Sequence, residues 1–407
     1  MVSSIETDGF DNFDYSVAGD VRDPYPELAE LRETTPVVGT PNPFDPDGPA
    51  SYLVYRHADI TRMFRDNQVF SSSNLAQTMG AAMGDRIILG MDEPEHRRHR
   101  ALVSVAFRQR SLARWEEVLV RHVVDELIDG FVDDGSVDLV PSFTFPFPTK
   151  VVAGVLGLPT EDYRAFQRWA IDIISLNSNW ERGVAAGEEI KVYLSRILED
   201  RRARPRDDLI SDLATAELDG ERLDDEEIFS FLRLLLPAGI ETTFRSSGNL
   251  LYLLLTHTDQ LDAVRADRSL LPQAIEEALR FEPPLLLTSR VALQDTEIAG
   301  VKIPAGSSVT PILGSGNRDP RVFDDPDRFD IFRDPHQHIS FGHGVHVCLG
   351  MHLARMETRV AVNAVLDRLP GLRLDHEAAG RVDAHIHGQI FRSPTSLPVL
   401  WDTAPRS

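Results

Sequence analysis

Apolar residues recur at helical spacing through much of the chain, almost without interruption from about residue 96 to residue 282. Acidic or proline-bearing turns such as LPTEDY and RPRDD separate the segments. The longest segment, DDEEIFSFLRLLLPAGIETTFRSSGNLLYLLLTH, begins at Asp224 with the acidic residues that a helix N-terminus favours. Unbroken, its roughly 34 residues would span about 50 Å, the width of a domain. Its ends are apolar, but its middle, AGIETTFRSSGN, is small and polar. Pro237 removes a backbone donor just before that middle, so a local kink is expected there.

Strand patterns are fewer. SYLVYR at 51–56 reads as a strand, and HADITRMFRDN after it as a short helix. TSRVALQDTEIAGVKIPAGSSVTPI alternates and turns like β-hairpins. CLGMHLARMETRVAVNAVLDRL is strongly helical, and from about Arg381 the chain returns to short strand-like pieces. The expected fold class is therefore mainly α with small β-sheets. No internal repeat or long low-complexity linker interrupts it, and the Pro-rich TPNPFDPDGP reads as a surface loop.

Composition narrows the setting. Of the 407 residues, 42% are hydrophobic and 26% charged, ordinary for a globular protein. No stretch of about 18 apolar residues runs free of charge or proline, so no membrane span is expected. The N-terminus, MVSSIETDGFDNFDYS, is too acidic for a signal peptide. A net charge of -22 disfavours nucleic acid and anionic membranes as partners. A single cysteine cannot form an internal disulfide, which fits a reducing cytoplasm. The expectation is a cytoplasmic protein.

That cysteine, Cys348, sits in FGHGVHVCLG at 341–350. Gly342, Gly344 and Gly350 permit backbone angles and close approaches that other residues forbid. A helix starting next to Cys348 would aim free N–H groups at its sulfur, lowering the thiol pKa. Four readings compete: a buried core thiol, a metal ligand, a redox thiol and a cofactor ligand. Redox exchange needs a resolving cysteine, and the sequence has none. His336, His338, His343, His346 and His352 surround Cys348, but no pair has zinc-ligand spacing on a helix.

The loop resembles the cysteine-ligand loop of the cytochrome P-450 family, F-x-x-G-x-H/R-x-C-x-G, without departure. Further motifs follow in the family's order over about residues 90–360. HRRHR supplies His96 and Arg100, one helical turn apart. Ala238-Gly239-Ile240-Glu241-Thr242-Thr243 resembles the A/G-G-x-D/E-T-T/S segment. Glu277-x-x-Arg280 resembles E-x-x-R, and Pro326-Asp327-Arg328-Phe329 resembles P-x-R-F.

The resemblance implies a single triangular, mainly helical domain over residues 1–407, with no fused reductase or membrane anchor, binding haem b. Cys348 would be the iron's axial thiolate, which favours O–O cleavage. His96, Arg100, Arg290 and His346 would meet the haem propionates, with Ala238, Phe341 and Gly342 as further haem contacts. Thr242 and Glu241 would deliver protons to bound dioxygen. Glu277, Arg280 and Arg328 would form a structural network, one carboxylate between two guanidiniums. The implied reaction inserts one oxygen atom into a small molecule. Rivals are a peroxide-driven peroxygenase and a non-catalytic haem sensor; the Glu241-Thr242 pair argues against both.

No complete G-x-G-x-x-G opens a βα unit; GSGNRD at 314–319 lacks the last glycine. NAD(P)H would therefore act only through ferredoxin reductase and ferredoxin. Arg97, Arg98, Arg108, Arg110, Arg355 and Arg359 would offer a basic docking face for an acidic ferredoxin, while a basic surface exposed to solvent is the plain expectation for Arg97, Arg98 and His99. The pocket is expected from residues 74–90, the helices around 165–190, and Leu234, Leu235, Leu286, Leu287, Ile390 and Phe391. Those side chains suit an apolar substrate. The chain is expected to act as a monomer.

Overall fold

The computed structural model describes residues 21–41, 48–174, 179–334 and 337–403. The acidic N-terminal stretch, most of the Pro-rich loop and His336 lie outside the described residues, as do residues 175–178 of the expected pocket helices.

The long apolar segment forms one central helix in three parts. Asp224 accepts a hydrogen bond from the Glu227 N–H at 2.8 Å, and the Glu227 carboxylate accepts from the Asp224 N–H at 2.9 Å, a capping box. An α-helix then runs Asp225–Leu236, widens into a π-helical turn over Pro237–Glu241, and resumes over Thr242–Thr256. The kink at Pro237 takes this form because proline offers no N–H to the carbonyl four residues back. Ile228, Phe231, Leu232 and Leu236 before the turn, and Phe244, Leu250 and Leu254 after it, are buried. Each such side chain contributes about 1.5–3 kcal/mol, so the apolar ends can support a polar centre. The helices Pro146–Val155, Leu271–Phe281 and Met351–Arg368 pack around it.

The β component is small. A five-stranded sheet has the order Val37–Thr40, Ser51–Val54, Ser308–Pro311, Arg290–Ala292, Phe70–Ser71. Strand 308–311 runs parallel to 51–54; the other pairs are antiparallel. Beyond it, Thr296–Ile298 and Val301–Ile303 make a hairpin whose two turn residues, Ala299 and Gly300, both have positive φ. The short helix His57–Arg65 lies on the sheet through Ile60, Met63 and Phe64.

Glu277 and Arg280 form a bidentate pair at 2.7 and 2.8 Å, with both side chains buried. The second guanidinium on Glu277 is Arg333, at 3.3 Å, and not Arg328. The Arg328 side chain points to solvent beside Asp330, while its carbonyl accepts from Arg280 and Arg333 at 3.1 Å each. Residue 328 thus contributes backbone rather than charge. The geometry of the turn that follows brings Arg333 back under Glu277.

This cluster holds the approach to the cysteine loop. Arg280 donates to the carbonyls of Asn317 and Pro326 at 3.0 and 2.8 Å. The Asn317 side chain in turn accepts from the Ile339 N–H at 2.8 Å and donates to the Ser340 hydroxyl at 2.7 Å. Truncating one partner of a buried pair strands the other. Glu277→Ala should therefore cost about 3–5 kcal/mol in denaturant unfolding. Arg328→Ala should stay within about 0.5 kcal/mol, like other exposed changes. Arg333→Ala should fall clearly nearer the former; equal effects at 328 and 333 would contradict this arrangement.

Candidate functional site

Cys348 closes its own loop, donating from its N–H to the Phe341 carbonyl at 2.8 Å. Gly342 and Gly344 have φ of 70° and 73°, the left-handed region that glycine tolerates. Gly344 has a second reason to be glycine: a Cβ there would come within 2.2 Å of the Phe64 carbonyl oxygen. Gly350, by contrast, has open space beside it. The loop is stitched to the helix His57–Arg65, where Arg65 donates to His343 Nε2 at 2.8 Å. That contact gives His343, which carries no role in the sequence, a structural one.

The following helix starts at Met351, three residues beyond the cysteine. The Cys348 thiol is exposed to the space inside the loop, yet protein surrounds it closely enough to raise its pKa above the ordinary value. Burial outweighs the Gly350 N–H, Arg100 and Arg355, which all favour the thiolate. Burial thus opposes the lowered pKa expected from the helix start.

Four basic side chains converge beside the loop. The His96 and His346 rings lie against each other, centroids 4.0 Å apart and planes tilted by 44°. Arg100 donates to the Val347 carbonyl at 2.6 Å, and Arg290 is buried beneath the sheet. Burial holds the His346 pKa down at about 3, helped by repulsion from His96, Arg290 and Arg100. Burial likewise lowers Arg290 to about 10. Both ring nitrogens of buried His96 lack a hydrogen-bond partner.

Across from the loop, the central helix turns its polar middle inward. Ala238 is exposed although Leu236 and Ile240 on either side are buried, so it borders an internal cleft. Thr242, four residues on, is half-buried and donates to the Ala238 carbonyl at 2.7 Å. A cavity of about 30 Å³ brings Thr242 together with Phe341, Leu279 and Pro284. Glu241 points elsewhere: its Oε1 accepts from Arg245 Nε and a terminal nitrogen at 3.3 and 3.0 Å, both side chains only 2% exposed. Burial, opposed by Arg245, raises the Glu241 pKa to about 7.

The other histidines have separate partners. His338 meets Glu276 at 3.3 Å, and that carboxylate also holds Arg355 in two bonds of 2.7 Å. Among the described residues no three His, Cys, Asp or Glu side chains converge on a metal position.

Comparison with known proteins places this geometry. Residues 149–370 match the family model for cytochrome P450. The chain is 37% identical to cytochrome P450 monooxygenase PikC of Streptomyces venezuelae, over 93% of this chain and 91% of that one. It is 39% identical to 6-deoxyerythronolide B hydroxylase of Saccharopolyspora erythraea, over 93% and 96%. Its fold is similar to cytochrome P450 PksS of the Bacillus subtilis bacillaene polyketide synthase, with a TM-score of 0.86, 31% identity, and coverage of 94% and 97%. The chain belongs to the cytochrome P450 family. It is a monooxygenase, an oxidoreductase with a haem-iron cofactor, and it has the P450 fold. Among the described residues of this P450, no helix is long and apolar enough to cross a membrane.

Three expectations need correction. Leu286 is buried, and a Cβ on Gly314 would fall 2.3 Å from its Cδ1, so it packs outward into the core. Residues 285–287 are strand-like, bridging Phe391 and Ile312, so Leu285 and Leu287 share the opposite, half-buried face. Leu235 is half-buried and Leu234 buried on the central helix before Ala238, and Ile390 and Phe391 are half-buried. The basic docking face is also mostly committed. Arg98, Arg355 and Arg359 pair with Glu227, Glu276 and Glu116 at 2.7 Å, and Arg97 with Glu93 at 3.0 Å. Arg108 and Arg110 are exposed and, among the described residues, in no ion pair. Lastly, His99 is fully buried against Glu227 and not solvated, and Arg98 joins it there.

Sequence reasoning missed Glu227 and Asn317. Glu227 ties the helix Glu95–Ser104, which carries His96 and Arg100, to the central helix through Arg98. Asn317 lies in GSGNRD, where the glycine pattern drew attention from the asparagine. Burial would raise the Glu227 pKa, but hydrogen bonds from Arg98, the Asp224 N–H and Arg86 hold it at about 2. A depressed carboxylate contributes stability above its unfolded pKa and loses it on acidification. Stability should therefore fall as pH drops from about 4.5 toward 2. In acid titrations of unfolding, Glu227→Gln should be weaker at neutral pH and flatter across that window.

Proposed function

We propose that this P450 inserts one atom of dioxygen into an apolar small molecule, acting as a single cytoplasmic domain and a monomer. Electrons come from NAD(P)H through an external ferredoxin reductase and ferredoxin. The observation that carries the reading is an exposed thiol beside two guanidiniums and two uncharged imidazoles, with Arg100 acting on both the thiol and the imidazoles.

The residues fit haem b. Cys348 offers a thiolate once a cation compensates its burial. Arg100 and Arg290 can neutralise two carboxylates, His96 and His346 can donate hydrogen bonds to them, and the orphaned nitrogens of His96 are then satisfied. Gly350 and Ala238 leave room on the two sides of the cleft, and Phe341 and Gly342 border it from the cysteine loop. When bound, the haem supplies the redox-active iron at which dioxygen is reduced.

The chain's own groups manage protons and substrate. The Thr242 hydroxyl, now given to the Ala238 carbonyl, can swing to donate into the cleft. Glu241, titrating near neutrality, can hold and pass the replacement proton. Leu234, Leu235, Leu285, Leu287, Ile390 and Phe391 form a wall that excludes water and favours apolar ligands. Relatives named as hydroxylases of small molecules, such as 6-deoxyerythronolide B hydroxylase and vitamin D(3) 25-hydroxylase, support a small-molecule substrate. Exposed Arg108 and Arg110 are the cations free to meet an acidic ferredoxin.

Reduced protein under carbon monoxide should give the red-shifted Soret band of a haem-thiolate, and Cys348→Ser should abolish it. Thr242→Ala should keep that band but lower product formation about 100-fold, the scale of a lost proton donor. Turnover with ferredoxin, its reductase and NAD(P)H should exceed turnover with hydrogen peroxide alone. Reversing charge at Arg110 should slow reduction without altering substrate-induced spectral shifts.

A further inference from the structure

Arg245 belongs to neither the cysteine loop nor the open helix face, yet it touches both the acid and the pocket wall. It lies one turn after Glu241 on the central helix and is 2% exposed. One end of its guanidinium donates to Glu241 Oε1. Another nitrogen donates to the Ser393 hydroxyl at 3.0 Å, and the plane lies over the Phe391 ring at 5.5 Å. It also lies over Phe244 at 4.8 Å.

The segment carrying Phe391 and Ser393 is itself firmly held. Arg392 donates to Glu282 at 2.8 Å and to the Val21 and Arg22 carbonyls at 2.9 and 2.8 Å. Asn249 of the central helix donates to the Glu282 and Arg392 carbonyls at 3.0 Å each. The wall therefore has little freedom except at the Phe391 ring and the Ser393 hydroxyl, where Arg245 meets it. A guanidinium is a planar fork, so moving one end turns the other.

We propose that Arg245 is a positioning residue that transmits the placement of Phe391 and Ser393 to the orientation and proton-holding of Glu241. A ligand pressing on Phe391 shifts the fork and so loosens or tightens its grip on the carboxylate. Glu241 is sensitive to such a shift because two opposed influences act on it. Burial favours its neutral form, and Arg245 favours its charged form by attraction and hydrogen bonding. Among the described residues no further ionisable group acts on it. The neighbouring helix Pro146–Val155 presents Val152 to this turn, and Phe145 packs edge-on against Phe244.

The inference rests on the proposed proton role of Glu241, and the test separates the two. In the haem-loaded protein, the infrared band of the Glu241 carboxylic acid is assigned by its loss in Glu241→Gln and followed against pH. Arg245→Met should carry that band to higher pH, its midpoint rising by about 1–3 units as expected for a lost cationic neighbour. Arg245→Lys should restore most of the shift. Ser393→Ala, which leaves both charges in place, should move the midpoint by a smaller amount. Phenylimidazole binding should shift the band in the wild type but not in Arg245→Met. An unmoved midpoint in Arg245→Met, or the same phenylimidazole shift in both proteins, would overturn the inference. If Arg245→Met does not fold, Arg245→Lys and Ser393→Ala decide: no ligand-dependent change in the wild type and no shift in Ser393→Ala would overturn it. Unchanged product yield in Glu241→Gln would defeat the proton role alone.

Discussion

The Glu277 carboxylate, held between Arg280 and Arg333 with almost no solvent access, is the constraint on which the site's geometry depends. A buried carboxylate is costly unless its hydrogen bonds are complete, and here the Asp330 N–H adds a further donor at 2.9 Å. Because each partner must sit correctly for the charge to be tolerated, the cluster fixes position more than it adds stability. Its output is directional. Arg280 grips the Asn317 carbonyl, and Asn317 grips Ile339 and Ser340, the two residues that lead into the cysteine loop. The Ser340 hydroxyl then returns to the Leu279 carbonyl of the helix that carries Glu277, closing the circuit at 2.7 Å.

The basic cluster at His96, Arg100, Arg290 and His346 is the opposite case. Its guanidiniums oppose charging of its imidazoles, and His96 makes no hydrogen bond from either ring nitrogen. A fold selected for stability alone would not keep such a cluster, since an unsatisfied buried donor costs about 1–3 kcal/mol. A completed network and an incomplete one, joined by the same short loop, distinguish scaffold from binding site without reference to any bound group.

The elements themselves were legible because they rest on local pattern. The strand at 51–54, the helix at 57–65, the capped central helix and the 296–303 hairpin each follow from spacing and turn chemistry within a few residues. Side-chain direction was less legible. Leu286 and Leu287 are equally apolar, and only the strand's register decides which of them leaves the cleft. Arg328 and Arg333 flank one turn, and the turn's geometry selects between them. Arg98 looks like part of a basic surface until Glu227, 129 residues away, is brought against it. Neither composition nor spacing encodes that encounter; the packing of two helices does.

The polar middle of the central helix can now be divided by face. Ala238 and Thr242 border the cleft, whereas Glu241, Arg245, Ser247 and Asn249 turn into protein. The inward face is not filler, because Arg245 and Asn249 both bond the segment that carries Ile390 and Phe391. One helix thus bears the cleft-side Thr242 hydroxyl, the Glu241 acid behind it and two of the anchors of the 390–393 segment. Successive residues on an α-helix point about 100° apart, so adjacent residues 241 and 242 serve different sides where the π-helical turn Pro237–Glu241 gives way to the α-helix Thr242–Thr256. Under the proposed proton role of Glu241, changes at 390–393 would reach proton handling through Arg245, and selectivity and oxygen chemistry would not vary independently.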